Sequence, residues 1–245
     1  MRMGDNSAAL YTVVNSIQAL GRGFDVNFDT RLLYCKGVTS SRIVEIDDDH
    51  TKDLLVCDDL VVSNVSRDIK CSQGTSGRER SWANNFYEMV EYFNKKAELA
   101  GRIPLGSFNS VFSFTGSKEM DAAATKSLAI DGYFIPLCTV ELAKPPSALQ
   151  ANVKRAIPSS WDPSALASFI ETFGTHVITS VTIGGKDVIY VKQHQSSPLS
   201  TIEIKKYVQE IGDQRFSDSE IHTVSGPMKS KDKASASFVF LPMAF

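Results

Sequence analysis

The sequence is short of the residues that announce chemistry: four of its 245 residues are cysteine and four are histidine. Cys35, Cys57, Cys71 and Cys138 stand far apart, without the close pairs of zinc sites or redox motifs. They are also too few to staple a chain of this size, so reduced, buried thiols are expected. His50, His176, His194 and His222 are isolated from one another, and no nucleophile elbow or comparable context surrounds a serine. No catalytic set can be assembled; neither an enzyme nor a bound metal or cofactor is expected. A net charge of −2 and a pI near 6.1 remove the global positive field that attracts nucleic acid or anionic lipid. Nucleic acid is therefore not an expected partner, and any membrane contact must be local or apolar. There is no run of 18 apolar residues that could cross a bilayer as a helix, and no charged-then-apolar leader precedes the first helix. A cytosolic chain is expected, in which the Asn64-Val65-Ser66 sequon has no use.

What is present is enough apolar residue, 42% of the chain, to bury the core of one sizeable domain. The most informative stretch runs from Asp162 to Lys186. Asp162 suits an N-cap, Pro163 the first helical position, and Gly174 the left-handed stop. Leu166, Phe169, Ile170 and Phe173 lie between as one helical stripe. From Val177 the period becomes two: Val177, Thr179, Val181 and Ile183 point one way, and Ile178, Ser180 and Thr182 the other. Gly184 and Gly185 interrupt this strand before a second β-rich run, 187–191, and predict a bend or bulge where another backbone comes close.

Elsewhere, a first helix starts at Asn6 or Ser7, carries Leu10, Val13, Val14 and Ile17 on one face, and stops at Gly21. Gly21 and Gly23 make only half of a dinucleotide fingerprint and follow a helix instead of a strand, which argues against a nucleotide site. Asp47, Asp48, Asp49 and His50 lack the spacing of a calcium loop and read as a solvated turn. A second helix is expected from near Ser81, with Trp82, Phe86, Met89 or Val90, Phe93 and Ala97 on one side, a Glu91–Lys95 pair, and a stop at Gly101. Ser200 and Glu203 form a capping box ahead of a stripe of Ile204, Tyr207, Val208 and Ile211, ended by Gly212.

Between 108 and 130 the even positions Phe108, Phe112, Phe114, Met120, Leu128 and Ile130 are apolar, and most odd positions are polar. A strand with one apolar and one wetted face is what a membrane barrel needs, and about ten residues cross a bilayer when tilted. In solution the same segment is expected as a half-buried strand plus a short alanine-rich helix over 119–129. Lys118 and Lys126 break the apolar face and weaken the pore reading.

The order Phe173-Gly174-Thr175-His176, a short gap, then Gly184-Gly185 resembles the signature of the membrane attack complex/perforin (MACPF) superfamily. Residues 20–37, 67–71, 108–136, 154–163 and 192–218 resemble its plant-type branch, the cell-death-regulating (constitutively activated cell death and necrotic spotted lesions) group. The likeness covers about 8–218 and leaves a divergent tail, 219–245. The resemblance implies an α+β fold: a bent antiparallel central sheet of the MACPF/cholesterol-dependent-cytolysin type, flanked by helical clusters and incomplete at the C-terminus. It implies that helical clusters, here 108–142 and 186–235, can unfurl into membrane hairpins. Phe108, Phe112, Phe114, Met120, Leu128 and Ile130 would then face lipid, while the six signature residues shape the sheet bend.

The function implied is that of a perforin-like, membrane-associated protein which restrains programmed cell death in salicylic-acid-linked plant immunity, at the cytosol and the plasma-membrane surface. Membrane lipid is the implied transient partner, and self-oligomers are implied for full-length members. The alternative is a non-lytic lipid- or protein-binding scaffold on the same fold. Against the family pattern the chain reads as a truncated product, one expected to form no competent pore alone.

Overall fold

The computed structural model describes residues 3–27, 35–37, 41–56, 60–145, 148–216 and 235–242, with side chains described between 9 and 216. The fold is α+β, as the sequence implied. Helix α1 (Met3–Ala19) begins earlier than Asn6, buries Val13 and Ile17, and leaves Leu10 at the rim. Gly21, at φ +78°, turns the chain into the two-residue strand β1 (Gly23–Phe24). Strands β2 (Thr51–Val56) and β3 (Leu60–Ser66) form a separate antiparallel pair.

The main sheet rests on two long strands. Strands β4 (Ile69–Gln73) and β5 (Gly77–Ala83) run in one line along β6 (Thr125–Leu142), which pairs on its other side with β7 (His176–His194). Every pairing is antiparallel. β6 and β7 are 18 and 19 residues long, about 60 Å of strand at 3.3 Å per residue, far beyond the usual five or six. β8 (Ser235–Pro242) pairs with β7 from Gly184 down to His176, and β1 pairs with the start of β7.

Three helices, α2 (Phe86–Lys96), α3 (Gly106–Val111) and α4 (Lys118–Ala124), connect β5 to β6. Helices α5 (Ala151–Ala156) and α6 (Pro163–Phe173) lead into β7, and α7 (Thr201–Phe216) follows it. The larger core lies between α1, the α2–α4 cluster and one face of the sheet, around Leu20, Phe86, Met89, Phe108, Leu128, Ile130, Val140 and Ile178. A smaller core joins Ile43, Val44, Val153, Phe169, Phe173 and Val177.

Several boundaries differ from the sequence reading. Residues 81–83 belong to strand β5, because Ser81 to Ala83 pair with Ile130 to Leu128; the helix starts after Asn85, whose side chain accepts from the Glu88 N–H. It ends at Lys96, before Gly101, and Glu91 pairs with Arg102 instead of Lys95. The alanine-rich helix stops at Ala124, where Thr125 enters the sheet, and residues 187–191 continue β7 without a break. Of the proposed hairpin clusters 108–142 and 186–235, 125–142 and 186–194 are sheet; the helical portions fall in α3, α4 and α7, and 217–234 lie outside the described residues.

Candidate functional site

The signature residues form an interlocked corner. Asp162 accepts from the Ser164 N–H, Pro163 opens α6, and Gly174 at φ +83° closes it, as the sequence predicts. A Cβ on Gly174 would fall 2.6–2.8 Å from the backbone of Phe24, and one on Gly23 would fall 1.7 Å from the Phe173 carbonyl oxygen. Two glycines thus let the α6–β7 turn and β1 press backbone to backbone. The Thr175 N–H donates to the Phe24 carbonyl at 3.0 Å, and Thr175 Oγ1 lies 2.8 Å from His176 Nδ1. Gly23, read from sequence as a weak nucleotide echo, belongs to this packing. His176 is buried beside it.

Burial disfavours the imidazolium and lowers the pKa of His176 below its ordinary 6.5, against a smaller opposing pull from Asp25. The unfolded chain therefore takes up this proton more readily than the folded one, so stability is full above about pH 6.5 and falls as the pH drops below it. Denaturant midpoints between about pH 7.5 and pH 5 are expected to show this loss, and His176→Gln is expected to flatten it. An unchanged slope would place the titrating group elsewhere.

The paired glycines lie on a crease that crosses three strands. Gln73 faces Cys138 and Gly77 faces Phe134, so the break at 74–76 stands opposite 135–137. On the other side of β6, Pro136 faces Gly184 and Cys138 faces Ile183, which leaves Leu137 as an extra residue in a bulge. Pro136 is held between two glycines: a Cβ on Gly74 would meet its carbonyl oxygen at 2.2 Å, and one on Gly184 would meet its Cα at 2.7 Å and the Ile135 oxygen at 2.2 Å. Gly185 is different, since its added Cβ meets nothing within 4 Å. The close backbone approach expected at the glycine pair thus falls on Gly184, with Gly74 and Pro136 as partners that the sequence reading missed. Across this bulge the side of β7 that packs on the main core changes: Val181 and Ile183 lie in it before the bulge, and Val188 and Tyr190 pack against it after.

Two helical clusters sit against the upper half of the sheet, held by different forces. Phe108 and Phe112 are buried on α3 and its C-cap. Their rings meet Phe86, Phe93 and Phe114 at 5.0–6.1 Å, mostly edge to face, and Phe112 also meets Tyr190 of β7 at 5.6 Å. Lys192 lies 4.6 Å from the Phe114 ring centre. Asp121, also buried, accepts from the N–H of Thr115 and of Gly116 and from Thr115 Oγ1, which fixes the α3–α4 turn. The period-two segment is therefore two short helices up to Ala124 and strand from Thr125, with Leu128 and Ile130 in the core from β6. Met120 alone among the six candidate membrane-facing residues is exposed. Alternation at 108–124 gave way to helix because the aromatics reach a better-packed site from two short helices than from one half-buried strand.

Helix α7 buries only Val208, Gly212 and Phe216. The capping box is present, with Ser200 Oγ 2.7 Å from Glu203 Oε2 and accepting from the Glu203 N–H. Gly212, however, lies inside the helix, which runs on to Phe216. A Cβ there would stand 2.0 Å from Asp131 Oδ2. The glycine is a contact surface and not a stop. Beneath it Asp131 accepts from Arg78 at 2.8 and 2.9 Å and from Arg80 at 2.8 Å, and both arginines donate to Asp213 of α7. These hydrogen bonds, with that from Arg80 foremost, hold the Asp213 carboxyl below the usual range. No sequence signal linked Arg78, Arg80, Asp131 and Asp213, which lie far apart in the chain.

Asp47 accepts from its own turn, including the Asp49 and His50 N–H groups, as the solvated reading expects. Cys138 is buried and Cys35 and Cys71 are partly so, with no disulfide among the three; Cys57 lies outside the described residues. Among the described residues no group of three or more metal-ligating side chains converges, and no helix is long and apolar enough to cross a membrane.

Comparison with known proteins agrees with this architecture. The MAC/Perforin domain family matches residues 9–237. MACPF domain-containing protein CAD1 of Arabidopsis thaliana is 53% identical over 229 residues, which is 93% of this chain and 41% of that protein. MACPF domain-containing protein NSL1 of the same plant is 43% identical, over 90% of this chain and 35% of its own length. The chain thus spans less than half the length of these relatives. Among solved structures, GNIP1Aa from Chromobacterium piscinae superposes with a TM-score of 0.57 at 13% identity, over 91% of this chain and 43% of that one. A creased antiparallel sheet with helical clusters between its long strands, and a family match over nearly the whole chain, place this protein in the MAC/Perforin domain family.

Proposed function

We propose that this chain is the perforin-like portion of a membrane-associated protein that restrains programmed cell death in salicylic-acid-linked plant immunity. The observation that carries the membrane part is topological. The α2–α4 cluster separates the antiparallel strands β5 and β6, and α7 lies between the antiparallel strands β7 and β8. Extending each strand pair through its helices makes two hairpins, with inter-strand bonds replacing helix bonds and with hairpins of neighbouring copies pairing the outer edges, so that no backbone group is left unpaired in lipid. Two crossings take roughly 20 residues, and the stretch from 84 to 124 exceeds that. The cell-death part rests on the family resemblance alone, as does residence at the plasma membrane. No enzymatic step is part of the proposal.

Vesicle sedimentation tests the membrane reading. The chain is expected to pellet with phosphatidylserine-containing liposomes and to give detergent-resistant oligomers when the rest of the protein is present. Protein that stays in the supernatant would overturn it. Silencing the gene in its source plant is expected to produce spontaneous lesions that depend on salicylic acid; unmarked tissue would overturn the cell-death reading. Lys118 and Lys126 favour a second reading, a non-lytic scaffold. Both interrupt the apolar alternation, and Lys126 Nζ donates to the Leu199 carbonyl at 2.8 Å, tying β6 to the loop before α7. Monomeric lipid binding without oligomers would select it.

A further inference from the structure

The two clusters are fastened to the same sheet by unlike chemistry. The α3–α4 side is closed by aromatic burial, a contact that salt does not screen. The α7 side is closed by charge. Asp131, 1% exposed, is the centre, with Arg78 and Arg80 of β5 on it and Asp213 of α7 bridging the two guanidiniums from above. Two residues on, Arg215 makes a bidentate pair with Asp187 of β7 at 2.7 and 2.8 Å, and Arg78 lies 5.1 Å from the Phe216 ring centre. The outer members, Asp213, Arg215 and Asp187, are each more than half exposed. Apolar burial by α7 is confined to Val208 and Phe216, because Ile202 and Tyr207 face solvent and a glycine occupies the closest contact.

We infer that α7 is an ion-pair-latched flap, which leaves the sheet before the α3–α4 cluster does. Once it lifts, Asp213 withdraws from the arginine pair, and Asp131 alone is left against Arg78 and Arg80, with one guanidinium charge unbalanced. The latch is a property of the soluble chain and does not depend on the membrane reading above.

Amide hydrogen exchange on the full chain tests the inference. Raising NaCl from about 0.01 to 1 M shortens the Debye length from about 30 to 3 Å. Exchange across 201–216 is expected to speed up about tenfold or more, while 106–124 keeps its rate. Asp213→Asn is expected to do the same at low salt, and it removes an exposed carboxylate without leaving a buried charge unpaired, so the chain still folds. Arg215→Asp is expected to loosen α7, and adding Asp187→Arg is expected to restore it. Gly212→Ala separates docking from helix strength: alanine is the better helix former, so an undocked helix would slow its exchange, whereas displacement from Asp131 speeds it. Salt acting equally on both clusters, salt acting on neither, or slower exchange of α7 in Gly212→Ala would each overturn the latch.

Discussion

Gly184→Ala is expected to destabilise the chain by about 2–4 kcal/mol, and Gly185→Ala to change it by no more than about 0.5–1 kcal/mol. The two glycines are neighbours in one strand, so composition and strand propensity treat them alike. The difference is what each faces. At Gly184 a methyl group would overlap the Ile135 carbonyl oxygen and Pro136 Cα, both backbone atoms of a strand paired on either side. Relief requires β6 to move, and with it the bulge at Leu137 and the contact between Pro136 and Gly74. At Gly185 the same methyl enters open space, and alanine lowers the entropy of the unfolded chain. Denaturant midpoints of the two variants measure the contrast directly. Equal losses would mean that the crease is not set by the close approach of β6 and β7.

Phe108→Ala is expected to cost about 3–5 kcal/mol, a fall in Tm of about 10 °C, while Met120→Ala stays within about 0.5 kcal/mol. Phe108 is fully buried and in ring contact with Phe86, Phe93, Phe112 and Phe114, so truncation leaves a cavity that surrounding rings can fill only in part. Met120 is 66% exposed. Thermal unfolding followed by circular dichroism distinguishes the two, and a Phe108→Ala variant as stable as the parent would remove α3 from the core. On the proposed refolding the same phenylalanine exchanges a protein core for hydrocarbon, so its apolar surface stays out of water in both states. On that proposal the cluster opens only where lipid replaces the rings it leaves.

Much of the corner at the start of β7 was readable in the sequence, because its rules are local. Asp162, Pro163 and Gly174 act through their own backbone positions, and the Ser200–Glu203 box closes within four residues. The family likeness of 173–176 and 184–185 was legible for the same reason: the motif is short and continuous. Reading failed where a residue's role is set by a strand distant in the chain. Ser81 to Ala83 have a helical stripe yet form a sheet, since pairing with β6 supplies bonds that a helix start would leave unmade. Gly212 looks like a stop but sits mid-helix, because Asp131 below leaves no room for a side chain.

By itself the sequence determined the capped helix leading into a long strand and a close backbone approach near 184–185, and its short continuous motif resembled the family from which the α+β class follows. The first two follow from backbone preferences and period, which act over a few residues. The tertiary structure alone decided that Gly184 and not Gly185 makes the crease, that Pro136 is pinned between Gly74 and Gly184, and that one cluster is closed by rings and the other by ions. Each of these is a contact between strands or helices far apart in sequence. Excluded volume and charge pairing act through space, so only the folded chain brings such groups within reach of one another.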